Sequence, residues 1–185
     1  MAIEVHPVTP DRWDDLVALF GERGAYDGCW CTWWRQTSSE YGRNRGAGNR
    51  EMLRGLVERG EEPGLIAYID GEPVGWISVG PREDFGRLQR SPKLKPIDDR
   101  PAWAIVCFYV DKAAQNAGVG RALLDAAVEH VAERGGELVE GYPVAPRDRF
   151  DAAATFTGTT GMFARAGFSE AARRGGRPIV RRELR

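Results

Sequence analysis

Residues 102–136 constrain the fold of this chain more than any other part of it. The run WAIVCFYV, residues 103–110, is almost wholly apolar and reads as a strand buried on both faces, which places it in the middle of a sheet. It leads into Gln115, Asn116, Ala117, Gly118, Val119, Gly120 and Arg121, after which Val119, Leu123, Ala127 and Val131 recur four residues apart with Leu124 and Val128 beside them. That spacing predicts an amphipathic helix over about 119–134, stopped by Gly135 and Gly136. A further strand is predicted over 138–142. Strand, glycine-bearing loop, helix and strand make a βαβ unit, whose strands lie parallel and whose crossover is right-handed.

The flanking segments predict the rest of a mixed sheet. Residues 64–69 and 74–79 are apolar, partly β-branched runs joined through Asp70 and Gly71, a hairpin signal that adds an antiparallel pair. Residues 1–8 read as an opening strand. Thr9 as cap, Pro10 at the first helical position, and a Val8/Trp13 staple then start a helix whose Trp13, Leu16, Val17 and Phe20 share a face. A second helix starts at Asn49 and stops at Gly60. Residues 21–48, rich in glycine and aromatics without a period, predict a shaped loop, and the proline-bearing, charged residues 81–101 predict an exposed excursion. After a loop rich in Pro, Asp and Ala, a short helix over 159–166 and strands around Phe168 and over 179–184 close the chain.

Composition excludes several classes. The 26 basic and 27 acidic residues nearly cancel, so the chain lacks the positive field that nucleic-acid binding needs. The longest apolar run, residues 102–110, is far below the roughly 20 residues that span a bilayer, and the N-terminus has no basic-then-apolar leader pattern. A cytoplasmic protein with neither nucleic-acid nor membrane partners is expected. Cys29, Cys31 and Cys107 are odd in number, and no Cys/His set has the spacing of a closed zinc site, so reduced thiols and no metal are expected. His6 and His130 have no catalytic partner in sequence, and His130 is expected on the outer helix face.

The loop at 115–121 carries the chemistry. At a helix start several backbone N–H groups lack a carbonyl partner, the helix dipole attracts negative charge, and Gly118 and Gly120 let a phosphate approach without a Cβ in the way. A diphosphate cradle follows. A dinucleotide-binding fingerprint is the nearest rival, with Glu140 at the ribose position, but its third glycine would fall at Leu123 and residues 111–117 are too long for its tight turn.

On these residues the chain resembles the GNAT superfamily of N-acetyltransferases, whose central motif is an Arg/Gln-x-x-Gly-x-Gly/Ala loop after an apolar strand ending in Val. Phe108, Tyr109, Val110 and residues 115–120 match it, and Gly161, Met162, Phe163, Ala164, Arg165, Ala166, Gly167 and Phe168 look like the family's later helix ending in Gly-Phe. The resemblance implies an α/β fold: a mixed, mostly antiparallel central sheet with a parallel splayed strand pair and flanking helices. It implies one N-acetyltransferase domain over 1–185, with 1–63 as the variable acceptor side and 64–185 as the acetyl-CoA-binding core. Pantetheine would lie in the splay, paired with the backbone of Phe108 and Val110, and the diphosphate would rest on the N–H groups of residues 117–121, with Gln115 and Arg121 nearby. Transfer would be direct attack of an amine on the thioester, so Cys107 need not be a nucleophile.

The chain also departs from the family. Many members place a tyrosine four residues before the Gly of Gly-Phe, where it can protonate the departing thiolate; here Phe163 stands there. Tyr142 is the substitute acid, or else a core aromatic. Glu140 is the best-placed base, or else a solvated strand residue, while Asp98 and Asp99 could attract a cationic acceptor or simply form a surface turn. Trp30, Trp33 and Trp34 form an acceptor wall or a satellite core. The acceptor is expected to be a small-molecule or peptide amine, a homodimer is left open, and a non-catalytic acyl-CoA-binding module is the alternative to an enzyme.

Overall fold

A computed structural model describes residues 2–144 and 156–185. Its central strand, β4 (Trp103–Val110), spans the apolar run that predicts it. On one side of β4 lie β1 (Ile3–Pro7), β2 (Gly64–Ile69) and β3 (Glu72–Pro81); on the other lie β5 (Leu138–Gly141), β6 (Ser169–Arg174) and β7 (Arg177–Glu183). The seven strands run in the order β1-β2-β3-β4-β5-β7-β6, with every neighbouring pair antiparallel except β4 and β5. The β2–β3 hairpin turns on Asp70 and Gly71, both at positive φ (51° and 81°), the two-residue turn whose twist matches that of the strands it joins.

The helical period at 119–134 appears as α5 (Val119–Glu133), which lays Leu123, Leu124, Ala127, Val128 and Val131 on Ile77, Val79, Ile105 and Phe108. On the opposite face, α1 (Trp13–Phe20) and α3 (Ala47–Glu58) pack Leu16, Phe20, Leu53 and Val57 on Ile66, Tyr68 and Trp76. Farther along that face Phe85, Leu88 and Leu94 cover Ala104, Val106, Tyr142 and Ile179. Among the described residues no helix is long and apolar enough to cross a membrane.

Several expectations needed correction. Thr9 does not cap a helix: its hydroxyl bonds the Asp11 carboxylate, and a 3-10 turn, Pro10–Arg12, precedes α1. The shaped loop holds a 3-10 turn, Trp33–Arg35, and a helix, α2 (Ser38–Asn44), which starts on a capping box between Thr37 and Glu40. Asn49 lies inside α3, buried, where it accepts from Gln36 Nε2 (2.8 Å) and donates to the Gly28 carbonyl (2.9 Å), tying the loop to the helix. Residues 81–101 are not simply exposed, because they bring Phe85 and Leu88 into the core and include a short helix, α4 (Gly86–Arg90). His130 is buried edge-on to Trp103, and burial pushes its pKa down. Most of the loop rich in Pro, Asp and Ala lies outside the described residues.

One irregularity in β4 positions the site. Cys107 pairs with Ser78 and Ile105 with Val79, which leaves Val106 as an extra residue. Val106 and Cys107 therefore both turn toward the face opposite α5, while Ile105 and Phe108 turn toward it. A bulge of this kind bends its strand, and β4 stays paired with β5 only through Trp103↔Val139, Ala104↔Glu140 and Ile105↔Gly141. Beyond Ile105 the parallel strands are no longer paired.

Candidate active site

Past the point of parting, β4 leads into a turn closed by the Asp111 carboxylate, which accepts from the Ala113 N–H (2.8 Å). Asn116 and Gly118 then take positive φ (66° and 87°), and α5 begins. Its first bond runs from the Ala122 N–H to the Gly118 carbonyl (3.1 Å), so the N–H groups of Val119, Gly120 and Arg121 have no acceptor within the helix. No side chain caps them. Both α2 and the short α6 (Thr160–Arg165), by contrast, are capped by a threonine, Thr37 and Thr159. The longest helix among the described residues thus presents a bare positive end beside exposed Gln115, Asn116, Ala117 and Arg121. Gly118 is needed for its backbone angle. At Gly120 an added Cβ would meet only Met162 Sδ, at an ordinary 3.5 Å, so that side of the loop is open. Donors, charge and space all fit a diphosphate.

The Phe108 N–H, which points into the parting of β4 from β5, donates to the Phe156 carbonyl. Gly158 (φ 82°) bonds back to the Val144 N–H, and Thr160 donates to the Val144 carbonyl, so residues 156–158 stand between the two parted strands. Phe163 is fully buried, edge-on to Phe108 (6.0 Å) and Phe168 (5.0 Å). Its ring is part of the core.

Against the far end of β4 lies a cavity of about 510 Å³, walled by Tyr26, Trp33, Trp34, Tyr41, Tyr109 and Phe156. All three cysteines reach it, although among the described residues no group of His, Cys, Asp or Glu is arranged to hold a metal ion. Burial, and after it the Cys31 thiol, push the Cys29 thiol up to about 11. The Cys31 thiol, and after it burial, hold Cys107 well above the ordinary thiol range. Near neutral pH both are protonated and poor nucleophiles. Trp33 and Trp34 line the cavity; Trp30 does not, being buried between Trp13 (6.1 Å, stacked) and Phe20 (5.5 Å, edge-on). Tyr109 faces the cavity, and Val110 packs toward α5.

Glu140 and Tyr142 come together, but elsewhere. The Tyr142 hydroxyl donates to Glu140 Oε2 (2.7 Å), while Arg82 Nη1 and Arg181 Nε both donate to Oε1 (2.9 Å each). Arg181 also bonds Asp98 through two nitrogens, at 2.6 and 3.0 Å. Glu140 and Tyr142 are buried, and neither lines the cavity. Burial, and after it the Glu140 carboxylate, push the Tyr142 hydroxyl well above its ordinary pKa. The two residues expected as acid and base thus lie in a buried ion-pair network joining β5 to β7, apart from the cavity. The carboxylate points inward because β7 supplies Arg181 opposite it, a pairing that a solvated-strand reading of Glu140 does not anticipate.

Residues 27–148 match the Acetyltransferase (GNAT) family, which spans both the bare helix start and the parted strands. The chain belongs to the GNAT family. No curated protein sequence matches this GNAT chain significantly. Solved structures share its fold: PaiA N-acetyltransferase from Thermoplasma acidophilum in complex with coenzyme A has a TM-score of 0.57 at 16% identity, covering 100% of both chains. A GNAT-family acetyltransferase from Listeria monocytogenes has a TM-score of 0.60 at 11% identity, covering 98% of this chain and 95% of its own. An N-acetyltransferase from Staphylococcus aureus has a TM-score of 0.58 at 12% identity, covering 100% of both. At these identities the likeness is one of fold.

Sequence reasoning missed several cavity residues of this GNAT chain. Tyr26 and Tyr41 sit in the aperiodic loop, where nothing in the spacing singles them out. Arg177 is one of several arginines near the end of the chain with no motif to single it out, yet its Nη2 donates to the Tyr142 carbonyl (2.8 Å) and to Thr157 Oγ1 (3.3 Å) at the cavity wall. Cys107 was legible as a strand residue, but only the bulge at Val106 turns it toward Cys31.

Proposed function

We propose that this GNAT protein transfers an acetyl group from acetyl-CoA to the primary amine of a small molecule or peptide by direct attack. The observation that carries the proposal is the adjacency of three features: the uncapped start of α5, the parting of β4 from β5, and the aromatic cavity at Cys107 and Tyr109. Val119, Gly120 and Arg121 would hold the diphosphate through backbone N–H groups, with Gln115, Asn116, Ala117 and Gly118 alongside, and the backbone of Phe108, Tyr109 and Val110 would meet the pantetheine arm. Acetyl-CoA supplies an activated thioester. The chain's own part is to position and to exclude water: the Phe108 N–H is a donor available to a carbonyl oxygen in the parting once Phe156 gives way, and the Tyr and Trp walls shield the reacting groups. The protonated thiols support a route without an acyl-enzyme. Glu140 and Tyr142 would hold β5 in place, and the amine would lose its proton to solvent.

Residues 1–63 would act as the acceptor side and 64–185 as the donor core, a division supported by the cavity, which takes Tyr26, Trp33 and Tyr41 from the first and Tyr109 from the second. Calorimetric titration with acetyl-CoA, followed by thiol-release assays over a panel of primary amines, tests the proposal. Binding with turnover on one or more amines is expected. Absence of binding refutes the donor site; tight binding without turnover on any amine favours a non-catalytic acyl-CoA-binding module.

A further inference from the structure

A second hollow, of about 350 Å³, adjoins the aromatic cavity and shares Trp33, Trp34 and Arg177 with it. Its wall carries Arg87, Arg90, Lys93 and Arg177, and among the described residues no carboxylate lines it. Many of the chain's other arginines pair with acids, as in Arg54–Glu58, Arg121–Asp125 and Arg181–Asp98, although Arg12, Arg43 and Arg182 bond neutral partners instead. Among the described residues, Arg87, Arg90 and Lys93 form no such ion pair. Glu40, whose carboxyl feels the charge of Arg90, accepts from the backbone N–H (2.8 Å) and hydroxyl (2.9 Å) of Thr37 in the α2 cap.

Arg87 is held in place by neutral partners. Its guanidinium lies 3.8 Å from the centre of the Trp33 ring, its Nε donates to the Trp33 carbonyl (2.6 Å), and its Nη1 donates to Ser38 Oγ (3.3 Å). These contacts orient the cation without cancelling its charge. Burial chiefly, and after it the charge of Arg90, hold the Arg87 pKa below its usual value, so a second positive group lies near enough to be felt there. An anion in the hollow would relieve that repulsion, and guanidinium forks suit carboxylate and phosphate oxygens.

We infer that this hollow is an anion subsite of the acceptor, so that the substrate is a primary amine also bearing a carboxylate or phosphate, its amine toward Tyr109 and its anion among Arg87, Arg90 and Lys93. This rests on the acyl-transfer reading above. The shared Trp33 and Trp34 wall implies an apolar spacer between the two ends.

Matched amines that differ only in a terminal carboxylate, phosphate or neutral amide, over a series of spacer lengths, test the inference. The ratio of kcat/KM for the charged over the neutral member should exceed about 10 at the best spacer. It should fall about tenfold in Arg90→Gln/Lys93→Gln, the size expected for losing two partly exposed charge contacts. Which anion gives the higher ratio identifies the group. A ratio near one in the wild type, or one that survives the double substitution, overturns the subsite. Tryptophan fluorescence of the coenzyme-free protein, titrated with inorganic phosphate and separately with acetate, reads the hollow without turnover, because Trp33 lies against Arg87. Saturable quenching that is lost in a double variant with an unchanged circular dichroism spectrum supports the subsite even if no amine is acetylated. A non-saturating response, the same in both proteins, overturns it.

Discussion

Replacing Gly120 with alanine separates coenzyme binding from folding. Gly120 occupies the second position of α5, and an alanine Cβ there would meet only Met162 Sδ, at 3.5 Å, so the fold admits the methyl without strain. Helix propensity favours alanine by up to about 1 kcal/mol, so the variant should melt at the same temperature as the wild type or slightly above it. The methyl nevertheless stands beside the free N–H groups of Val119, Gly120 and Arg121. Pushing a diphosphate away from one charge-assisted hydrogen bond costs roughly 1.5–3 kcal/mol, or about 10- to 100-fold in Kd. Gly118→Ala is the less discriminating change, because φ there is 87° and a non-glycine residue in that region costs about 1–2 kcal/mol of stability as well. Calorimetric titration of Gly120→Ala with CoA, alongside thermal melting, gives both quantities. A folded variant with unchanged CoA affinity would refute the cradle.

Tyr142→Phe should cost roughly 1.5–3 kcal/mol in urea denaturation, as expected for a hydrogen bond to a charge, and change turnover less than about threefold; a tenfold loss of turnover at unchanged stability would restore Tyr142 as an acid. Glu140→Ala leaves Arg82 and Arg181 facing a buried gap and should cost about 3–5 kcal/mol by the same measurement. Phe163→Tyr inserts a hydroxyl among Phe108 and Phe168 and should destabilise by about 1–3 kcal/mol without raising turnover. With its pKa raised to about 11, Cys29 is mostly thiol below that pH and becomes thiolate above it, so iodoacetamide labelling should climb steeply with pH until about 11; rapid labelling at pH 7 would contradict this. Mass spectrometry after incubation with acetyl-CoA should find no acetyl group on Cys107.

The stretch from β4 to α5 was legible because its signals are local. A run of eight apolar residues, two glycines and a four-residue period fix β4, the loop and α5 within a single stretch of chain. The Thr37-x-x-Glu40 capping box is equally local, but the glycines and tryptophans around it hide any helical period. The two hollows were not legible, because their parts come from distant stretches of chain: Trp33 from the turn before α2, Arg87 from α4, Arg177 from the start of β7. Glu140 shows the limit most clearly. Whether a strand carboxylate faces solvent or a pair of arginines depends on which strand lies opposite, and nothing near residue 140 encodes that.

Phe156 belongs to two places at once. Its carbonyl oxygen occupies the Phe108 N–H, and its ring, 5.4 Å from that of Tyr26, forms a wall of the aromatic cavity. Any group that claims that N–H must therefore dislodge a piece of the neighbouring pocket, and the free energy of one event enters the other. Linkage makes the effect reciprocal: whatever factor donor occupancy applies to acceptor affinity, the acceptor applies to the donor. On the proposed reading, the apparent affinity for each substrate should then change with the concentration of the other, because Phe156 contributes to both places.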